Sequence, residues 1–116
     1  MIMGGFIIVI ELTKENFDQE VLEYSGVVFV DFWGPKCEQC LELLPEIEAF
    51  AQRNADKAKF CKLDTSLSRR LSIAQKVMGL PAFVFYVNGE RNFMFDAGNI
   101  DMDAIQAKLD ELVHNK

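Results

Sequence analysis

Basic residues, histidine and cysteine are scarce in this sequence, and each shortage removes a class of function. Lys and Arg number 12 against 18 Asp and Glu, a net charge of −6. A nucleic-acid surface carries a basic excess or a basic stripe, so no nucleic-acid partner is expected. The adjacent Arg69 and Arg70 read as a solvated helix end. A structural zinc site needs four ligands. Beyond Cys37 and Cys40 only Cys61 and the near-terminal His114 supply nitrogen or sulfur, so no metal is expected either. The 3 cysteines are too few and too unevenly spaced for a secreted disulfide framework. Long hydrophobic runs are missing as well. Residues 1–10 are apolar but too short to span a bilayer, and they lack the basic start and small-residue cleavage site of a signal peptide. A soluble cytoplasmic protein with no membrane partner is expected, with residues 1–5 as a frayed tail.

What the sequence does hold is enough apolar material for one domain over 1–116: half of its 116 residues are hydrophobic, and no repeat or linker marks a second unit. Phe6 to Leu12 has strand composition, and Thr13 resembles the N-cap of a short amphipathic helix ending near Ser25-Gly26. Val27 to Trp33 is apolar at both parities except for Asp31, as in a strand buried on both faces. A helix to about Asn54 follows. Pro45 removes one of its hydrogen bonds and is expected to kink it rather than end it, because Leu44, Ile47, Phe50 and Ala51 keep helical spacing across the proline. Ala58 to Asp64 reads as a strand, and Leu67 to Val77 as a helix with Leu67, Leu71, Ala74 and Val77 or Met78 on one face, closed by Gly79. Ala82 to Val87 and Arg91 to Ala97 flank Asn88-Gly89, the preferred two-residue hairpin turn. Gly98 breaks the chain before a helix whose apolar face is Ile105, Leu109, Leu112 and Val113. The order βαβαβαββα implies an α/β fold, a central mixed sheet flanked by helices on both faces. The apolar first strand is a candidate exposed edge.

Cys37 and Cys40 lie where the second strand hands over to the long helix. At a helix start, unpaired N–H groups and the positive end of the dipole favour an anion, so Cys37 is expected to have a lowered pKa and to be the nucleophile. Cys40 is one turn on and on the same face, close enough to close a small ring. A CxxC pair beside alternating strands and helices reads as a redox motif; two unrelated core cysteines are the alternative. Burial of Asp31 disfavours its charged form and is expected to raise its pKa. Cys61 is most simply a small core residue. Met78 and Met94 call for no cofactor.

Together these features resemble the thioredoxin family over about Val9 to Val113. The resemblance rests on Phe17 and Val21-Leu22, Val30-Asp31-Phe32-Trp33, Pro45, Lys62-Leu63, Gly79-Leu80-Pro81, Asn88-Gly89-Glu90 and Gly98. It implies a protein-disulfide reductase that needs no cofactor beyond its own disulfide, Cys37–Cys40. Cys37 attacks a substrate disulfide and Cys40 resolves the mixed disulfide. It also implies that Asp31 accepts the Cys40 proton through water, that Lys62 lies near Asp31, and that Pro81 has a cis bond and faces the cysteines. Trp33, Lys36, Gly79, Leu80, Pro81, Ala97 and Gly98 are the implied substrate surface. Each has a plainer reading: Asp31 as a structural carboxylate, Lys62 as an exposed strand lysine, Trp33 as core packing. The implied partners are a thioredoxin-reductase-type flavoenzyme and disulfide-containing proteins, and the implied state is a monomer.

The departures from the family pattern sit in the loop. Cys-Glu-Gln-Cys replaces the usual Cys-Gly-Pro-Cys, and Ala82 follows the loop proline where Thr is common. Glu38 and Lys36 push the Cys37 pKa in opposite directions, by about 1 kcal/mol each at an exposed site. Gln39 restores an N–H that a proline lacks, a donor expected to stabilise the Cys37 thiolate and so weaken the reductant. Two further readings follow: a specialised thioredoxin serving one partner system, and a thioredoxin-fold interaction module with incidental cysteines.

Overall fold

The computed structural model describes residues 8–115. Five strands form one sheet: β1 (Val9–Leu12), β2 (Val27–Trp33), β3 (Lys59–Asp64), β4 (Ala82–Val87) and β5 (Glu90–Asp96). Their spatial order is β1-β3-β2-β4-β5. β3 runs parallel to β1 and β2, whereas β4 runs antiparallel to β2 and β5, so the sheet is mixed as expected. β2 is central, and Val27 to Phe32 are all buried, which explains why it is apolar at both parities. β1 is an edge strand. The expected strand residues Phe6 and Ile7 and the tail 1–5 lie outside the described residues.

The alternation of each strand sends side chains into two cores. Val28, Val30, Phe32, Cys61 and Val84 pack on one side with Phe17 and Val21 of the short helical segment Asp18–Leu22 and with Leu71 of α2 (Arg69–Ala74). Phe29, Phe60, Phe83 and Phe85 pack on the other with Ile47 and Phe50 of α1 (Glu38–Arg53) and Ile105 and Leu109 of α3 (Met102–Asn115). α1 and α3 are tied by buried Asn54, which exchanges hydrogen bonds at 2.9 Å with the Gln106 amide while donating to the Phe50 carbonyl at 2.8 Å. α1 continues through Pro45.

Three boundaries differ from the sequence reading. The first helical segment stops at Leu22, its last turn widened as the Glu23 N–H donates to the Asp18 carbonyl five residues back. Thr13 does cap the turn before it: its hydroxyl accepts from the Glu15 and Asn16 N–H groups while the Asn16 side chain accepts from the Thr13 N–H. α2 is shorter than Leu67 to Val77. Leu67 and Ser68 are taken into a turn, with the Leu67 N–H on the Asp64 carbonyl, so Leu67 lies outside the helix and is exposed. At its other end Lys76 adopts φ 67°, the Lys76 N–H donates to Ile73 and the Val77 N–H to Ser72. Those two bonds satisfy the last carbonyls, so Lys76 rather than Gly79 closes the helix. Val77 is the buried residue of that face, and Met78 points outward. The third difference is slight: β5 begins at Glu90, and a bulge lets Tyr86 face Arg91 directly after Phe85 faces Phe93. The hairpin turn has positive φ at both Asn88 and Gly89, and a Cβ on Gly89 would collide with the Leu22 carbonyl, so glycine is required there.

Candidate active site

β2 ends at Trp33, and four residues later Cys37 is the N-cap of α1. The Cys37 N–H donates to the Gly34 carbonyl at 3.1 Å, folding the loop back on itself. Cys37 and Cys40 are disulfide-bonded, with Cα atoms 5.2 Å apart. The two sulfurs differ in access: Cys37 is half-buried, Cys40 buried. The Cys40 N–H donates to Cys37 Sγ at 3.1 Å. The amide aimed at that sulfur therefore belongs to residue 40. Gln39, expected to supply the donor, makes no such bond.

Asp31 lies on β2, two residues before the end of the strand, in register with Lys62 on β3 and Phe83 on β4. It is 2% exposed, and its Oδ1 has no hydrogen-bond partner among the described residues. An uncompensated buried carboxylate favours its neutral form. Burial accordingly pushes the Asp31 pKa up to about 7, with the positive charge of Lys62 opposing the rise. Lys62 is a neighbour rather than an ion-pair partner: among the described residues no cation lies within 4 Å of the Asp31 carboxylate, and Lys62 Nζ sits 5.9 Å from the Trp33 ring centre. Trp33 Nε1 is also buried and has no partner among the described residues. Cys61 points the other way into the opposite core, as its position in the pleat requires. Burial pushes its thiol up to about 12, so it holds its proton.

The Leu80–Pro81 bond is cis, and Pro81 is buried. Leu80 is the meeting point of the surface residues. It shares one depression with Gly34, Pro35, Lys36 and Cys37, and a second with Gly79, Ala97 and Gly98. Gly34 is held close to it, since a Cβ there would lie 3.2 Å from Leu80 Cδ1. The sequence reading missed Thr65, Ile73 and Met78 in this region. Thr65 joins the end of β3 to the active loop, its N–H and hydroxyl both donating to the Trp33 carbonyl at 2.9 and 3.2 Å. A signal for it existed in Asp64-Thr65-Ser66, a turn-forming run in which Ser66 bonds back to the Asp64 carboxylate. No group of three or more potential ligands for a metal occurs among the described residues.

The thioredoxin family model matches residues 8–111. The chain is 43% identical over 81 residues to a thioredoxin of Acetoanaerobium sticklandii, covering 70% of this chain and 77% of that protein. A thioredoxin of Peptoclostridium acidaminophilum is 38% identical over 104 residues, 87% of this chain and 94% of that protein. Protein disulfide-isomerase A6 of Homo sapiens is 31% identical over 106 residues, 88% of this chain but 24% of that protein.

Proposed function

The chain belongs to the thioredoxin family and is a thiol–disulfide oxidoreductase, and within that activity we propose how its residues divide the work. Cys37 is the nucleophile. The supporting observation is the asymmetry of the pair: the more accessible residue sits at a helix N-cap and its sulfur receives the Cys40 N–H, while Cys40 is buried. The Cys37 thiolate attacks one sulfur of a substrate disulfide, forming a mixed disulfide and releasing the other substrate sulfur as a thiolate that takes a proton from water. Cys40 then loses its proton to Asp31 through water and attacks Cys37 Sγ, which expels the second substrate sulfur as a thiolate that takes a proton from water. Two electrons have moved from the Cys37/Cys40 dithiol to the substrate, leaving the disulfide form of the protein.

The role of Asp31 as proton acceptor is supported by its pKa of about 7, which suits it both to take and to give up a proton near neutrality. Lys62 tunes that value from the adjacent strand. Trp33, Lys36, Gly79, Leu80, Pro81, Ala97 and Gly98 form the docking surface. The paired register of β4 begins at Ala82, which leaves the backbone of Leu80 for an extended substrate. The domain acts as one unit over 1–116, in the cytoplasm, recharged by a thioredoxin-reductase-type flavoenzyme. No described helix is long and apolar enough to cross a membrane.

Insulin-disulfide reduction with dithiothreitol tests this reading. Wild type should accelerate precipitation of the insulin chains, and Cys37→Ser should match the protein-free control. Equal activity of the two would end it, and full complementation of a deletion strain by a double-serine variant would point to a binding module instead.

A further inference from the structure

The surface around Leu80 extends beyond what disulfide exchange requires. A third depression, of about 380 Å³, runs from Leu80 along α2, past Thr65, Arg69, Ile73 and Met78. Its apolar walls are open to solvent: Met78 is 81% exposed and Ile73 50%. Large apolar side chains clustered beside a reactive cysteine mark a contact surface.

The chain segment that builds this arm is basic, and the one carboxylate lining the adjoining depression with Met78 and Leu80 is Asp96 of β5. Residues 65–89 contain Arg69, Arg70 and Lys76 and no Asp or Glu. On the other side of the cysteines, α1 exposes Glu38, Glu42, Glu46 and Glu48. None of the three cations on the α2 side has a carboxylate within 4 Å among the described residues. Nor do Arg69 and Arg70 help α2 itself, because cations in a first helical turn oppose the dipole. Arg69 alone of the pair lines the depression. An arginine without an internal partner, at the rim of an apolar groove, is suited to a carboxylate arriving from outside.

We propose that this arm is a specificity subsite for substrate proteins in which a bulky apolar residue and an adjacent Asp or Glu lie beside the attacked cysteine. The apolar side chain packs between Ile73, Met78 and Leu80, and the carboxylate meets Arg69. The α1 glutamates repel acidic segments in the opposite orientation, so the charge pattern also fixes which way the substrate lies. The proposal rests on the reductase reading above and leaves its electron transfer unchanged; it names the substrates that reaction favours.

Three disulfide-linked peptides test it, each with Leu beside the attacked cysteine and differing only in the next residue: Asp, Asn or Lys. The reduced protein should show kcat/KM in the order Asp, Asn, Lys, with about fivefold between Asp and Asn, the size of an exposed ion pair. The difference should lie in KM, and it should shrink in 0.5 M salt. Arg69→Gln should remove the preference and Arg69→Glu invert it. Arg70→Glu makes the same change in net charge outside the groove and should keep the order. Equal rates for the three peptides, or an Arg70→Glu effect as large as that of Arg69→Glu, would overturn the subsite while leaving the reductase intact. Failure to reduce even the Asn peptide would instead bring down the reductase reading, and the subsite with it.

Discussion

The two faces of the sheet are covered by unlike amounts of structure. On one face lie α1 with 16 residues and α3 with 14; on the other lie a helical segment of 5 and α2 with 6. Beneath α1, Phe29 meets Phe50, Phe60, Phe83 and Phe85 at ring separations of 5.4, 5.7, 5.5 and 5.2 Å. Beside α2, Leu67, Ile73 and Met78 are left outside. Asp31 has the parity of Phe29, so the proposed proton acceptor belongs to the thickly packed face, while the proposed surface for substrates spreads over the thin one. A raised carboxylate pKa requires dry, fixed surroundings, and a docking surface requires uncovered apolar groups. The fold separates the two demands by allotting its long helices to one side.

The largest difference between the faces is expected at Phe29. Phe29→Ala should cost about 3–5 kcal/mol, as for other fully buried aromatics, whereas Ile73→Ala should stay within about 0.5 kcal/mol; urea unfolding of both reads the difference. Equal losses would mean the faces do not differ.

Asp31 sharpens the same contrast through pH. Its folded-state pKa of about 7 lies above the unfolded value, so the neutral carboxyl is the form the fold favours. That contribution to stability is complete below pH 4 and is lost as the pH rises through about 7, where the buried group must ionise. Asp31→Asn should therefore stabilise the oxidised protein at pH 9 by up to about 4 kcal/mol and leave it nearly unchanged at pH 4. The same substitution should slow mixed-disulfide resolution about 10²-fold and abolish its rise with pH through 7, which stopped-flow tryptophan fluorescence would record.

On the thin face, Met78→Ala should raise KM for protein disulfides severalfold at unchanged melting temperature, a loss of about 1 kcal/mol in binding. The smallest effect is expected at Gln39→Pro. The N–H on the Cys37 sulfur belongs to Cys40, so this change should shift the redox potential little and alter stability by less than about 1 kcal/mol. A large shift in potential would restore Gln39 as the donor.

How far the sequence could be read followed the range of the interactions involved. β2 declared itself because burial on both faces leaves an apolar run, and the hairpin because Asn-Gly suits positive φ. The Cys37 N-cap followed from where that strand had to stop. The end of α2 was hidden: Lys76 takes a left-handed conformation that glycine usually fills, so Gly79 drew the boundary instead. Leu67 kept helical spacing although turn hydrogen bonds had already claimed it. At the site, burial of Asp31 was legible from its apolar neighbours. The distance that leaves Lys62 a neighbour rather than an ion-pair partner depends on side-chain positions across two strands, for which a sequence has no local signal. The groove past Ile73 and Met78 escaped notice for a related reason, since apolar residues at helical spacing read as core until their exposure is known.

The most direct test of the central claim is the equilibrium oxidation of the cysteines across graded thiol–disulfide buffers, read by alkylation and mass spectrometry. One reversible two-electron transition confined to Cys37 and Cys40 is expected, with buried Cys61 alkylated only after denaturation. A pair that never forms the intramolecular disulfide reversibly, or one in which Cys61 takes the place of either partner, would contradict it.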